Sequence, residues 1–250
     1  VISLQKEVIL IKSSTYKLSK IKDDEFILYH HLGLGDHIIC NGLVNYLSKE
    51  FNLIHLPVKT KNLKNVKYLY EENSSVNLFE ITNEETDVKK YSDIHNLKIL
   101  KIGFKKRGKP FNSGFYDQLN LPYSYSLKFF SFPKNTELEI KLTNYMKGEF
   151  NIGADYDLIH NESSIGNVQL KRTSELNAIY VKKDLDIYKN IFLYRNLIEN
   201  ANEIHCIDSS FLHLVERVDT SAKLFYHNVK NLDTKGANMK LIKNWEIIDY

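Results

Sequence analysis

The stretch His30-His31-Leu32-Gly33-Leu34-Gly35-Asp36-His37 decides how the chain is read, because it joins an apolar run, Phe26-Ile27-Leu28-Tyr29, to a segment of helical periodicity through two glycines and an acid. A strand that turns sharply into a helix is the unit from which parallel α/β sheets are built, and the turn is where such proteins place their chemistry. Glycine lets the backbone approach a ligand closely, and the first helical turn offers unpaired N–H groups and a positive dipole end to an anion. On the helix that follows, Ile39, Leu43, Leu47 and Phe51 recur every fourth residue with Tyr46 on the same side, while Asn45, Ser48 and Lys49 fall on a polar face.

Working outward, strand-like runs at 7–11, 26–30, 52–57, 76–81 and 97–102 alternate with helical segments. From 113 to 151 the pattern loosens: Pro122 and Pro133 interrupt it, Tyr123-Ser124-Tyr125-Ser126-Leu127-Lys128-Phe129-Phe130 fits neither period, and a linker or domain edge is expected before a helix over 136–147. The second half restarts with the strand Tyr156-Asp157-Leu158-Ile159-His160, then Ala178-Ile179-Tyr180-Val181 and a helix over 189–201 striped by Ile191, Tyr194, Ile198 and Ala201. Glu203-Ile204-His205-Cys206-Ile207 follows as a strand, then a helix over 209–217 and the strand Ala222-Lys223-Leu224-Phe225-Tyr226. The expected fold is α/β: two Rossmann-like α/β halves facing a cleft, an amino-terminal domain over residues 1–150 and a carboxy-terminal one over 151–250.

Composition narrows the function classes. The 34 basic and 31 acidic residues leave a net charge of only +3, which argues against nucleic-acid partners and general membrane attraction. Lys105-Lys106-Arg107-Gly108-Lys109 is the one dense basic run and reads as a solvated loop, with a phosphate-facing loop as the minority reading. Cys40 and Cys206 fall in a helix and a strand of different halves and read as small buried residues, in keeping with a reducing cytoplasm. No apolar run approaches the roughly 20 residues of a membrane helix, and Val1-Ile2-Ser3-Leu4-Gln5-Lys6-Glu7 lacks the order of a signal peptide, so a soluble cytoplasmic protein is expected.

Gly33-Leu34-Gly35 invites comparison with the dinucleotide fingerprint G-x-G-x-x-G, and the comparison fails. Ile38 stands at the third glycine position, and the next strand ends in Leu56-Pro57-Val58 without the acid that binds an adenosine ribose. Asp36, directly after the second glycine, would also repel a pyrophosphate. An aspartate at that corner suits acceptance of a proton from a hydroxyl, and it equally suits capping the helix that begins at Ile38. Gly33, Gly35 and His37 would then form an acceptor or phosphate loop around it.

Asp208-Ser209-Ser210-Phe211-Leu212-His213 is a second strand-to-helix corner. At 100° per residue, His213 and Glu216 fall within about 40° of Ser209, whereas Phe211, Leu214, Val215 and Val218 cluster opposite, so a serine, a histidine and an acid share one face. An amphipathic helix capped by Asp208 or Ser209 accounts for the same pattern without a ligand. His160-Asn161-Glu162-Ser163-Ser164-Ile165-Gly166 also follows a strand, and His160 and Ser164 are candidate binding residues there. Asp155-Tyr156-Asp157 has the D-x-D form of a metal motif but precedes its strand and is discounted. No C-x-x-C, H-x-x-x-H or G-x-S-x-G occurs, so neither a metal site nor a nucleophile elbow is expected.

The pair of corners resembles glycosyltransferases of the GT-B fold, most closely the ADP-heptose:lipopolysaccharide heptosyltransferase group, with G-D-x-x-x-x-x-P in the first domain and D-S/T-G-x-x-H-L in the second. Gly35-Asp36 matches the first signature; Asp208-Ser209 and His213-Leu214 match the second at the same Asp-to-His interval. Val44, or Gly42 nearby, stands where the proline is expected, and Ser210 replaces the motif glycine. The resemblance implies that Asp36 is the base toward an acceptor sugar and that Asp208, Ser209, Ser210 and His213, with His160 and Ser164, hold a donor's nucleotide diphosphate. It implies a metal-independent transfer with no cofactor beyond the nucleotide-sugar substrate, a glycan acceptor, and peripheral membrane contact where that acceptor is lipid-linked. Lys171, Arg172, Lys182 and Lys183 are the second-half cations available to the diphosphate. A non-catalytic nucleotide- or glycan-binding module and a sugar-nucleotide epimerase are the alternatives.

Overall fold

The structure, a computed structural model, describes residues 24–104, 110–163, 166–171, 177–230 and 239–250. The strand expected at 7–11, the basic run at 105–109, Ser164 and Arg172 lie outside the described residues. The chain divides into two compact units: the described residues up to Phe132 with Met239 and Lys240, and those from Pro133 through Lys230 with Leu241–Tyr250. Met239-Lys240 belongs to the first unit through a reciprocal pair in which Asn112 Nδ2 donates to Lys240 O at 2.8 Å and Lys240 N donates to Asn112 Oδ1 at 3.0 Å.

In the first unit, β1 (Glu25–Tyr29), α1 (Leu34–Leu47), β2 (Leu53–Lys59), α2 (Leu63–Leu69), β3 (Val76–Ile81), α3 (Glu84–His95) and β4 (Lys98–Lys101) alternate, followed by the short helices α4 (Phe111–Asp117) and α5 (Tyr125–Lys128). The four strands are parallel in the order β3-β2-β1-β4. One sheet face, with Ile27, Tyr29, Phe79, Ile81 and Ile99, packs against Val88 and Tyr91 of α3; the Phe79 and Tyr91 rings stack at 3.8 Å. Burial of that apolar surface is the main term holding the unit together.

α1 is buried far beyond the expected four-residue stripe: Ile38, Cys40, Asn41, Gly42 and Val44 are closed off along with Ile39, Leu43 and Leu47. Two contacts explain this. Tyr116 of α4 inserts its hydroxyl into the helical ladder, donating to Ile39 O at 2.7 Å and accepting from Leu43 N at 3.1 Å. On another side α5 approaches so closely that a Cβ on Gly42 would lie 2.4 Å from Tyr125 O. Because that neighbour is backbone and not a flexible side chain, Gly42→Ala should destabilise the protein by about 1–3 kcal/mol, read as a lower urea midpoint at unchanged slope. An unshifted midpoint would mean that α5 gives way freely.

The second unit opens with α6 (Thr136–Glu149) and then runs β5 (Asp157–His160), the small hairpin β6 (Glu162–Ser163) and β7 (Gly166–Asn167), β8 (Ala178–Tyr180), α7 (Arg195–Glu199), β9 (Glu203–Cys206), α8 (Ser210–Val215), β10 (Lys223–Asn228) and β11 (Trp245–Asp249). Its five-stranded sheet is also parallel, in the order β11-β10-β9-β5-β8. The helix expected over 189–201 is instead a 3-10 turn, Ile191–Tyr194, capped by the Asn190 side chain, followed by α7. Both cysteines are buried and neither is in a disulfide. No helix among the described residues is long and apolar enough to cross a membrane.

The two strand orders fix where a ligand can sit. In the first unit the chain steps from β1 outward through β2 and β3 and then returns to β1's other side as β4. In the second, β5 is flanked by β8 on one side and β9 on the other. Each reversal opens a crevice beyond the carboxyl ends of the strands involved. The loop after β1 and the corners after β5 and β9 therefore occupy the switch points of their sheets.

Candidate functional site

At the first switch point, Gly33 caps α1 in an extended conformation, φ −70° and ψ 152°. The helix thus starts at Leu34, four residues earlier than the sequence pattern suggests, and Asp36 lies inside its first turn instead of before it. The carboxylate folds back so that Oδ2 accepts the Gly33 N–H at 3.0 Å. A Cβ on Gly33 would lie 2.6 Å from that oxygen, so the glycine is what lets the acid lie against the chain. Gly33, Gly35 and Asp36 are all partly accessible.

His37 is placed differently. It is wholly buried, its ring meets His30 edge-on at 4.6 Å, and neither ring nitrogen has a hydrogen-bond partner among the described residues. Burial pushes its pKa well below the usual imidazole value and lowers that of His30 to about 4, so both rings are neutral at pH 7. His31 packs edge-on against Phe104 and Phe115. His30, His31 and His37 thus join Phe104 and Phe115 in one aromatic cluster.

At the second switch point the structure brings together His160, at the end of β5, and Asp208-Ser209-Ser210, after β9. Ser209 is the extended N-cap of α8; its Oγ accepts the Leu212 N–H at 3.3 Å and lies 3.2 Å from His160 Nδ1. The His160 ring stacks on Phe211 at 5.2 Å, and burial lowers its pKa to about 4. Asp208 Oδ2 accepts from Lys230 Nζ at 3.0 Å. Lys230 was not singled out by sequence, although the parallel register does signal it: Cys206 pairs with Tyr226, so the residues following β9 and β10 emerge side by side.

The expected polar face of α8 is corrected by the structure. The helix spans only Ser210–Val215, and both His213 and Glu216 are buried. Glu216 accepts from Trp245 Nε1 at 2.5 Å, Ile242 N at 2.7 Å and Lys243 N at 3.1 Å, so its carboxylate anchors the carboxy-terminal segment to the end of α8. Burial, reinforced by Arg217, lowers the His213 pKa to about 3. Of the other cations, Lys183 pairs with Glu162 and donates its backbone N–H to it at 2.9 Å, while Lys171 Nζ donates to Asp249 O at 2.9 Å.

No known family profile matches the sequence, and no curated protein matches it either. Among solved structures, the chain is similar to the crystal structure of the glycosyl transferase family 9 from Veillonella parvula DSM 2008, at 10% sequence identity and a TM-score of 0.57 over 94% of this chain and 88% of that one. That likeness shows the fold: this is an α/β chain with two parallel sheets, built as in that glycosyltransferase.

Proposed function

We propose that the protein is a glycosyltransferase that moves a sugar from a nucleotide-activated donor to a carbohydrate acceptor without a metal ion. The observation that carries this reading is the convergence of His160, Ser209 and the Asp208–Lys230 pair at the switch point of the second sheet. The ammonium of Lys230, held in place by Asp208, supplies positive charge for a diphosphate, and the Ser209 and Ser210 hydroxyls supply hydrogen bonds. Neutral His160 contributes a directed hydrogen bond without adding charge, and His213 is buried on the helix that Ser209 caps. In the reaction, an acceptor hydroxyl gives its proton to the Asp36 carboxylate while its oxygen bonds the anomeric carbon. The bond from that carbon to the diphosphate breaks, and the nucleoside diphosphate leaves. The resemblance of Gly35-Asp36 to the first heptosyltransferase signature is what supports the assignment of Asp36 to the acceptor side.

A second reading has its own observation. Asp36 already serves as an acceptor for the amino end of α1 through the Gly33 N–H, a role that needs no reaction. A nucleotide-binding module lacking transfer activity would retain the second-unit corner and this cap.

Thermal unfolding in the presence of UDP, GDP, ADP and CMP tests the donor site common to both readings. A nucleotide at 100 times its Kd should stabilise the protein by about 2.7 kcal/mol. Lys230→Ala should weaken that nucleotide about tenfold, roughly 1.4 kcal/mol, through loss of one charged contact. No shift with any nucleotide removes the donor site, and an unaltered affinity in the variant removes Lys230 from it.

A further inference from the structure

The amino-terminal ends of β5 and β9 carry a second polar cluster, on the sheet edge opposite His160 and Asp208. Asp157 and Glu203 are paired neighbours across the two strands, and His205 lies two residues further along the same face of β9. One ligand-competent atom from each of the three lies within 4.8 Å of the others. Asp157 and His205 are 0% and 1% exposed, and the Glu203 side chain only 15%. Two carboxylates side by side in a sheet interior repel one another in a poorly screened setting, and a divalent cation between them converts that repulsion into attraction.

The surroundings of His205 complete the arrangement. Its Nε2 faces Glu203 Oε2 at 3.4 Å, while its Nδ1 lies 2.9 Å from His227 Nε2; His227 Nδ1 in turn lies 2.9 Å from the Tyr250 hydroxyl. When Nδ1–H donates to His227, the Nε2 lone pair is left on the side of Glu203, which is the outer-shell arrangement that orients a metal-bound imidazole. Phe225 stacks on the His205 ring at 4.6 Å and holds its plane. Spacing in the sequence does not reveal the group, because the sheet register assembles it from separate strands.

We propose that Asp157, Glu203 and His205 form a structural site for a first-row divalent transition-metal ion of the zinc class, bound by one imidazole and two carboxylates with water completing the shell, which clasps β5 to β9. A mixed nitrogen and oxygen set suits zinc or cobalt better than calcium or magnesium. The site stands three residues before His160 along β5, roughly 10 Å away at strand rise, so its role is stability and not transfer.

The test uses the full chain, stripped with a chelator and dialysed. Co2+ should give one equivalent of bound metal with a ligand-field absorption band, and Zn2+ at 100 times its Kd should raise Tm by roughly 5–10 °C. Glu203→Gln, at the least buried ligand, should keep native circular dichroism yet lose the band and the equivalent, and Asp157→Asn should do the same. His227→Gln should weaken the metal about 10–100-fold. Absence of stoichiometric metal in the wild-type chain, or binding that survives both ligand substitutions, overturns the proposal.

Discussion

Asp36→Asn is expected to lower glycosyl transfer by about 10²–10⁴-fold while leaving nucleotide affinity unchanged. The substitution is chosen for what it keeps. Asparagine has the same shape, and its amide oxygen can still accept the Gly33 N–H that Oδ2 accepts at 3.0 Å, so the start of α1 and the glycine turn are preserved. What it removes is the capacity to take a proton from an acceptor hydroxyl. Transfer is measured with the nucleotide sugar picked out by the thermal screen, and binding with the corresponding nucleoside diphosphate, so the two readouts separate chemistry from fold. Transfer at the wild-type rate would leave Asp36 as a helix cap only, and a parallel loss of nucleotide binding would make it structural. Asp36→Ala is the informative partner: it abandons the Gly33 N–H as well, and should add a stability loss of about 0.5–2 kcal/mol that the asparagine variant escapes.

Much of the fold could be read from periodicity because parallel strands buried on both faces appear as short apolar runs. Phe26-Ile27-Leu28-Tyr29, buried throughout, forms β1, and Val76–Ile81, partly exposed at the sheet edge, still forms the strand the pattern predicts. The segment 113–132 resisted the same treatment because its aromatics serve tertiary contacts and not a periodic face. Tyr116 bonds into the backbone of α1, Tyr125 and Phe129 pack on Tyr46, and the short helices carrying them have too few turns to show a period. β11 shows little strand pattern in the sequence because most of its residues are exposed at the sheet edge, and Trp245 is fixed by Glu216, 29 residues earlier. The same carboxylate shows the limit of helical-wheel reasoning, which places Glu216 beside Ser209 but cannot say that three N–H groups from a distant segment will cover it. The Asp208–Ser209 corner was legible because a strand followed by Asp-Ser-Ser needs only local rules. Its partner Lys230 and the Asp157–Glu203–His205 cluster depend on strand order and register, which no spacing within one segment reveals.

Acid should unfold this protein near pH 5, through its buried imidazoles. His30 and His37 in the first unit, and His160, His213 and His227 in the second, all have pKa values lowered by burial: to about 4 for His30, His160 and His227, to about 3 for His213, and well below the usual value for His37. Each ring is neutral in the folded chain but becomes protonated in the unfolded chain below about pH 6.5. The unfolded state therefore binds more protons between pH 6.5 and 4, and stability falls as pH falls through that window; above pH 6.5 the contribution is fully present. A group moved from 6.5 to about 4 loses about 2 kcal/mol by pH 5. The four groups at about 4 or below, His30, His160, His213 and His227, together approach the whole stability of an ordinary domain, about 5–15 kcal/mol. Urea unfolding at a series of pH values should show ΔG dropping steeply below pH 6, with a slope corresponding to an uptake of up to about five protons. Both units hold such rings, so acid should weaken each of them. A stability that stays level from pH 7 to pH 5 would mean these rings are protonated in the folded protein, and with them the neutral His160 on which the donor corner depends.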